Sequence, residues 1–197
     1  MSILDAKNGQ EFKRIKLDNP DGELEGLQYL KWSREGSIIF GHTEGYDLFK
    51  VWDAAKGTER LSLEAPFDFS INYAEDKLAL IRADQELEIV GIPAGIKLSL
   101  PVDKEKDYSI RNVSLSPNGR FLATVGVDQR RGLTEVDVYD LKAGKVIQVF
   151  KFSGIKRKRL APPAKLELSW NTESRRLAFR TLGGEITIWQ LQGNLNR

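Results

Sequence analysis

Residues Val113 to Ala123 read Val-Ser-Leu-Ser-Pro-Asn-Gly-Arg-Phe-Leu-Ala, and this stretch decides the fold. Val113 and Leu115 alternate with serines, as expected of a strand with one buried face, and Phe121 opens a second apolar run. Asn118-Gly119 lies between the two runs, and both residue types tolerate a positive φ, so the pair favours a tight hairpin turn. The stretch therefore predicts two antiparallel strands joined by a turn.

Three further stretches repeat this pattern of an apolar strand, a polar turn and a second apolar strand. They are Leu30 to Ser33 leading to Phe40, Ile71 to Ala74 leading to Leu80, and Leu168 to Asn171 leading to Phe179. One anchor residue can be aligned in each copy, which gives Trp32, Tyr73, Leu115 and Trp170. Separations of 41, 42 and 55 residues between these anchors indicate an internal repeat of about 40 residues.

A second pattern is interleaved with the first, in which an alternating run ends in Asp and a glycine follows four residues later. The three clear copies are Leu4-Asp5 with Gly9, Trp52-Asp53 with Gly57, and Tyr139-Asp140 with Gly144. Val90-Gly91 with Gly95 is a weaker copy, and Ile188-Trp189 lacks the glycine. A glycine suits a left-handed turn position, and another short strand follows each one.

The two patterns together define a repeat of four strands, labelled a, b, c and d. The chain runs c-d, then a-b-c-d three times, then a-b-c. No stretch of useful length shows the 3.6-residue apolar period of a helix, so we predict a mainly antiparallel all-β protein.

At these residues the chain resembles the WD40 family of β-propeller repeats. The period fits, Val51-Trp52-Asp53 matches the dipeptide that names the family, and Val138-Tyr139-Asp140 is a common variant. The Gly-His pair that these repeats carry before strand a is absent, because Gly41-His42 lies on the b side of its repeat. The resemblance implies one propeller-type domain over residues 1–197, with strands c-d in 1–17 and four-stranded antiparallel blades in 24–64, 67–102, 109–152 and 165–192.

About four blades are fewer than the seven or eight usual in that family, so the two end faces need covering. An uncovered face of ~400 Å² would forgo roughly 10 kcal/mol at ~25 cal/mol per Å². The segment Phe12 to Leu17 could supply the d strand that the last repeat lacks. This leaves four arrangements open: closure in cis, closure with a second copy, closure with a different chain, or a chain that is part of a longer propeller.

Composition excludes several classes of function. There is no cysteine, which excludes disulfides, thiolate metal sites and a cysteine nucleophile. The net charge is +2, so no overall field favours nucleic acid or membrane. No apolar run approaches the length of a membrane helix, and no signal-peptide pattern precedes residue 14. We expect a soluble cytoplasmic protein that needs no cofactor.

Two basic stretches are the candidate partner-binding residues. One is the run Lys156, Arg157, Lys158 and Arg159 in the long connection before the last repeat, and the other is the pair Arg130 and Arg131 between strands b and c of the third repeat. Such residues are typical of a loop that binds phosphates or acidic surfaces, and equally of a solvated loop.

The remaining polar and aromatic residues of note sit at repeat positions, which favours structural roles. Asp5, Asp53 and Asp140 are predicted to stabilise turns. The tryptophans Trp32, Trp52, Trp170 and Trp189 are predicted to pack blades together. His42 is the single histidine and is predicted to lie in a turn without a function, since acid–base or metal chemistry usually needs further partners.

We therefore expect a non-catalytic scaffold for protein interactions, a subunit of a larger assembly whose partner is a second copy or another chain. The alternative is a subunit associated with nucleic acid or ribonucleoprotein that binds polyanions through residues 156–159. An enzyme using carboxylates in a central channel is disfavoured, because the sequence contains no convincing catalytic pair.

Overall fold

The computed structural model is built of antiparallel strands. It describes residues 1–15, 26–43, 48–92, 95, 97–102, 108–128, 131–153, 166–180 and 185–191. Within these ranges every regular element is a β-strand. The predicted all-β class is therefore correct.

The strands form a two-stranded N-terminal sheet and four further sheets, which we number as blades 1 to 4. The N-terminal sheet contains β1 (Ser2–Leu4) and β2 (Glu11–Arg14). Blade 1 contains β3 (Leu27–Trp32), β4 (Ile38–Thr43), β5 (Leu48–Asp53) and β6 (Glu59–Glu64). Blade 2 contains β7 (Asp68–Ile71), β8 (Lys77–Ile81), β9 (Leu87–Gly91) and β10 (Lys97–Leu100). Blade 3 contains β11 (Tyr108–Leu115), β12 (Phe121–Asp128), β13 (Leu133–Asp140) and β14 (Lys145–Ser153), and blade 4 contains β15 (Glu167–Trp170), β16 (Arg176–Arg180) and β17 (Ile186–Gln190).

Each blade is an antiparallel meander in which consecutive strands are hydrogen-bonded neighbours. The order a-b-c-d predicted from the sequence is thus observed in blades 1 to 3, and a-b-c in blade 4. The β-propeller-type repeat of four-stranded antiparallel blades is confirmed.

One turn recurs between strands a and b of every blade. Its first residue carries a side-chain oxygen, and its fourth residue has a positive φ and donates its N–H to the carbonyl of the first. In blade 3 the fourth residue is Gly119, so only the second residue of the Asn118-Gly119 pair takes a left-handed φ. The first and fourth residues of the four turns are Ser33 and Gly36, Asn72 and Glu75, Ser116 and Gly119, and Asn171 and Ser174.

This turn corrects the alignment of the second repeat. Ile71 pairs with Leu78 as Leu115 pairs with Leu122 and Trp170 with Leu177, so the true anchor of blade 2 is Ile71 and the choice of Tyr73 is wrong. Glu75, and not a glycine, occupies the left-handed position of that turn, with a φ of 57°.

The turns between strands c and d follow the second sequence pattern. Gly9, Gly57, Gly95 and Gly144 all have φ values between 63° and 71°. At Gly57 the left-handed φ alone disfavours other residues, because the atom that a Cβ would approach to 2.6 Å is Cε of Lys13, the end of a flexible side chain that can move aside. The glycines were predicted for this conformational reason.

The chain divides into two compact units. The first comprises Met1–Pro66 with Ile92–Gly95, and the second comprises Phe67–Gly91 with Ile96–Arg197. In the first, Met1, Ile3 and Ile15 of the N-terminal segment pack against Ile39 and Trp52 of blade 1. In the second, two apolar clusters lie between successive blades, one between blades 2 and 3 and one between blades 3 and 4.

Side chains also join blades 2, 3 and 4 by hydrogen bonds between their inner strands. Asn112 of β11 donates its Nδ2–H to Asp68 of β7 at 2.8 Å and accepts the N–H of Leu168 of β15 at 3.2 Å. Trp170 donates its indole N–H to the carbonyl of Ser114 at 2.9 Å. These contacts fix the spacing of neighbouring blades within the second compact unit.

The strand pairing bears on the predicted closure in cis. Among the described residues β2 pairs only with β1, and β17 pairs only with β16. Within the part of the chain that the structure describes, blade 4 thus has three strands.

Candidate protein interface

Blades of the second compact unit pack through two different faces. We call the face of a blade that contacts the next blade its forward face, and the opposite face its backward face. The forward face of blade 3 presents Ala123, Val125, Val136 and Val138, all fully buried against blade 4. The corresponding face of blade 2, which carries Ala79 and Ile89, is buried against blade 3 in the same way.

The forward face of blade 4 has the same kind of residues but is uncovered. Strand pairing places Ala178 opposite Ile188 and Arg180 opposite Ile186, as it places Ala123 opposite Val138 and Val125 opposite Val136. Yet Ile186 is 68% and Ile188 is 67% exposed, whereas both valines of β13 are completely buried. Covering these two isoleucines would stabilise an assembly by roughly 2–4 kcal/mol.

Polar groups border this apolar stripe. Arg180 forms an ion pair with Glu167 at 3.2 Å, and strand pairing sets Arg176 opposite Gln190 at the other end. An apolar centre with a charged and polar border is the usual anatomy of a protein interface. We call this surface, comprising Glu167, Arg176, Ala178, Arg180, Ile186, Ile188 and Gln190, the open face.

The opposite face of blade 4 is well packed, which holds the open face in place. Trp189 stacks on Phe150 with ring centroids 4.2 Å apart, and Trp170 stacks on Phe121 at 6.1 Å. Phe152 and Phe179 complete the aromatic cluster. Because aromatic contacts of this kind order the sheet of blade 4, the exposed Ile186 and Ile188 are carried by a strand that is already in place.

A second uncovered surface lies in the first compact unit. Leu30 and Trp32 of β3 are each 48% exposed on the backward face of blade 1. Their counterparts in blade 3, Val113 and Leu115, are buried by blade 2. The N-terminal segment joins the cluster that contains Trp52 and Leu27 of β3, and it leaves Leu30 and Trp32 half exposed. The prediction that Trp32 packs in the core is therefore wrong, while Trp52 and Trp170 are buried as predicted.

Most of the predicted basic residues lie outside the described residues. These are Lys156, Arg157, Lys158, Arg159 and Arg130. Arg131 is described: it lies in the β12–β13 turn with a side chain 68% exposed, 3.7 Å from the Asp128 carboxylate. Asp128 also accepts the backbone N–H of Arg131 at 3.0 Å, so Arg131 takes part in closing its own turn.

The three repeat-position aspartates stabilise turns, as the sequence predicted. Each accepts backbone N–H bonds from the turn that follows: Asp5 from Lys7 at 2.7 Å, Asp53 from Lys56 at 2.8 Å, and Asp140 from Lys142 at 2.9 Å. Amide donation and ion pairing favour the charged form of a carboxylate. The Lys56 amide and then the guanidinium of Arg60 thus hold the pKa of Asp53 below its ordinary value.

The pKa of Asp140 is also lowered, although burial of its carboxylate acts in the opposite direction. Burial alone would raise the pKa of Asp140, but the Arg120 guanidinium at 3.0 Å and the amides of Ala143 and Lys142 outweigh it and lower the pKa. Asp140 is therefore a structural ion-pair partner of Arg120, the residue directly before β12.

His42 is a strand residue and not the turn residue that the sequence predicted. It lies at the buried end of β4, with its ring edge against Phe49 at 5.3 Å and Tyr29 at 6.0 Å. Burial lowers the pKa of His42, so the imidazole is neutral near pH 7. Among the described residues no group of three His, Asp or Glu side chains could hold a metal ion, and no helix could cross a membrane.

The open face was missed by sequence reasoning, although a signal was present. Glu185 to Trp189 alternates as a strand, but Ile186 and Ile188 are apolar at the positions that a solvent-facing strand would fill with polar residues. Apolar residues on both faces of a strand indicate burial on both sides.

Comparisons with known proteins support the fold. No family model and no curated protein matches this sequence. Among solved structures 980 chains match, so the architecture is too widespread to indicate a function. One of them is the β-propeller domain of Cps50 (Swd1) from Myceliophteria thermophila, with a TM-score of 0.67 and 16% identity.

That match covers 100% of this chain and 59% of the Myceliophteria chain. The chain thus spans about three fifths of the length of that propeller domain. The blades and the comparison together define the class of protein: a β-propeller-type repeat protein. The resemblance to WD40-like propeller repeats is confirmed at the level of the fold.

Proposed function

We propose that this chain is a non-catalytic scaffold for protein interactions, a subunit of a larger assembly that binds its partner through the open face of blade 4. The single observation that carries this proposal is the exposure of Ile186 and Ile188. The positions that correspond to them in blade 3 are completely buried by a following blade.

The chemistry of the face supports a protein partner. An exposed apolar stripe on a rigid sheet gains free energy when it is covered by another apolar surface, and its charged border can orient the partner. The absence of cysteine also fits our proposal that the assembly forms in the cytoplasm.

The polyanion alternative depends on residues 156–159, which lie outside the described part of the chain. The described Arg131 is engaged by Asp128. The nucleic-acid function therefore stays a prediction from the sequence, and the protein-interaction function is the one we favour.

Affinity capture with matched variants tests the proposal. Tagged wild-type protein, Ile188→Asp and Ile147→Asp would be used to capture partners from nuclease-treated extract of the native host. Ile147 is an apolar residue of β14 outside the open face, 42% exposed, and serves as the control. A charge at position 188 would be buried without a partner, so we expect recovery to fall at least about tenfold for Ile188→Asp only.

Equal recovery of the same proteins by all three forms would contradict the proposal, since the open face would then not be the binding surface. A partner that the wild type recovers from untreated extract but loses after nuclease treatment would favour the polyanion alternative.

A further inference from the structure

Two Asn-Gly pairs lie in turns of this structure, Asn8-Gly9 between β1 and β2 and Asn118-Gly119 between β11 and β12. A glycine has no side chain to shield its backbone nitrogen, so that nitrogen can approach the side-chain carbonyl carbon of the asparagine before it. Both asparagines are exposed, and both glycines have a left-handed φ, 70° for Gly9 and 65° for Gly119. The two pairs are therefore alike in sequence and in backbone conformation.

The two turns also hold the asparagine side chain in the same way. Asn8 accepts the backbone N–H of Gln10 on its Oδ1 at 2.9 Å, and Asn118 accepts that of Arg120 at 3.0 Å. Because each bond reaches the second residue after the asparagine, it holds the side-chain carbonyl beside the glycine nitrogen that lies between them. The electrophile and the nucleophile of a ring closure are thus neighbours at both sites.

The turn that contains Asn8 has no contact that hinders this ring closure. Gly9 donates its N–H to the carbonyl of Asp5 at 2.8 Å, and among the described residues every hydrogen bond of Asn8, Gly9 and Gln10 stays within the turn. Apart from the neighbouring residues of the chain, no described atom lies within 4 Å of the position that a Cβ of Gly9 would take. Breaking one backbone hydrogen bond therefore frees the Gly9 nitrogen.

The turn that contains Asn118 is held by two other blades. Asn118 donates its backbone N–H to the Oγ of Ser174 in blade 4 at 3.1 Å, and the Nζ of Lys77 in blade 2 donates to the carbonyl of Gly119 at 3.1 Å. Within the turn the hydroxyl of Ser116 donates to the Oδ1 of Asn118 at 2.8 Å, and Gly119 is buried. Moving the Gly119 nitrogen toward the asparagine side chain would break contacts with both neighbouring blades.

We infer that Asn8 is a site of spontaneous deamidation and isomerisation in the folded protein, and that the contacts with blades 2 and 4 protect Asn118. The Gly9 nitrogen loses its proton and attacks the side-chain carbonyl carbon of Asn8, which closes a succinimide ring. The bond from that carbon to Nδ2 breaks, and the amide group leaves with a proton as ammonia. Water then opens the ring at either carbonyl and yields aspartate or isoaspartate at position 8.

The product changes the turn that connects β1 and β2. Either form adds a negative charge to the turn that already contains Asp5. Isoaspartate also inserts a methylene group into the main chain, which displaces the Gly9 N–H from the carbonyl of Asp5. Because β1 supplies Ile3 to the cluster that contains Trp52, the modification weakens the turn that holds the N-terminal sheet on blade 1.

Peptide mapping by liquid chromatography and mass spectrometry follows both sites in one sample. The full chain would be incubated at mildly alkaline pH, folded and in guanidinium chloride, with a zero-time sample digested in parallel. In the unfolded chain the two Asn-Gly pairs should react at similar rates. In the folded protein we expect Asn8 to react at least about tenfold faster than Asn118, because the bonds of the Asn118 turn with two other blades must also open.

Ser174→Gly is the matched variant. It removes the hydroxyl that accepts the Asn118 N–H, and glycine suits the φ of 57° at position 174. We expect this variant to speed the reaction of Asn118 by about fivefold and to leave the rate at Asn8 unchanged.

Equal rates at the two sites of the folded wild type would overturn the inference, as would an Asn8 that reacts only after unfolding. An unchanged rate at Asn118 in Ser174→Gly would overturn the protection that we assign to blade 4. None of these results bears on the capture of a partner by the open face, so the proposed function is tested separately.

Discussion

Gln85 combines a strained backbone conformation with a hydrogen bond between two blades, so substitutions there compare the free energies of the two. Gln85 lies in the β8–β9 turn of blade 2 with a φ of 68°, a left-handed conformation that favours glycine. Its side-chain Oε1 accepts the backbone N–H of Ile110 in blade 3 at 2.6 Å, and Ile110 is 1% exposed. The residue with the left-handed conformation is therefore also the one whose side chain forms a hydrogen bond between two blades.

Two substitutions separate the loss of the hydrogen bond from the relief of backbone strain. Gln85→Ala removes the acceptor and leaves a buried N–H without this partner, which costs about 1–3 kcal/mol, and it keeps the left-handed strain. Gln85→Gly loses the same hydrogen bond but relieves about 1 kcal/mol of strain. We expect both variants to be less stable than wild type, with the glycine variant about 1 kcal/mol more stable than the alanine variant.

Urea denaturation followed by far-UV circular dichroism measures this difference. Gln10→Ala, at an exposed turn position, is the control and should stay within about 0.5 kcal/mol of wild type. Wild-type stability in Gln85→Ala would refute the role of the hydrogen bond. A glycine variant less stable than the alanine variant would refute the strain argument.

Asp140→Asn should lower stability by about 1–2 kcal/mol at pH 7, because it removes the ion pair with Arg120. Since the native pKa of Asp140 lies below its ordinary value, the wild type loses this advantage as pH falls below about 4 and through that lowered pKa, so the urea midpoints of the two proteins should converge at acid pH. Burial holds His42 neutral in the folded state. The wild type should therefore lose stability as pH falls through about 6.5, where the histidine of the unfolded chain takes up a proton. His42→Phe lacks this group and should show a flatter profile of urea midpoint against pH between about pH 7.5 and 5.5. If Lys156 to Arg159 bind duplex DNA, changing all four to Gln should flatten the slope of log affinity against log salt by up to about 3.6, and an unchanged slope would eliminate that interface.

Much of the architecture was predictable because it depends on local chemistry. Alternation of apolar and polar residues predicts the strands, and the glycine four residues after Asp53 predicts the c–d turn. Each of these signals lies within a few neighbouring residues. The Tyr73 anchor failed where that local chemistry is atypical. Glu75 takes the left-handed position that Gly36 and Gly119 take in other blades, so the turn carried no glycine signal.

The candidate interface was harder to predict because its environment depends on neighbours. Ile188 and Val138 are equivalent in strand position and similar in chemistry, yet one is exposed and the other buried. Trp32 failed as a core residue for the same reason, since the cluster around the N-terminal segment includes Leu27 of the inner strand but not Trp32. A period-2 pattern shows that a face is apolar, but it does not show what covers that face.

Hydrogen exchange of the β17 amides, resolved by residue, tests the central claim most directly. In the isolated 22.3 kDa chain, alternate amides of Ile186–Gln190 point away from β16 and should exchange rapidly, whereas those of β13, Leu133–Asp140, should all be protected because that strand is paired on both sides. Uniform protection along β17 in a monomeric sample would contradict the account, because the outer edge of β17, which borders the open face, would then already be paired.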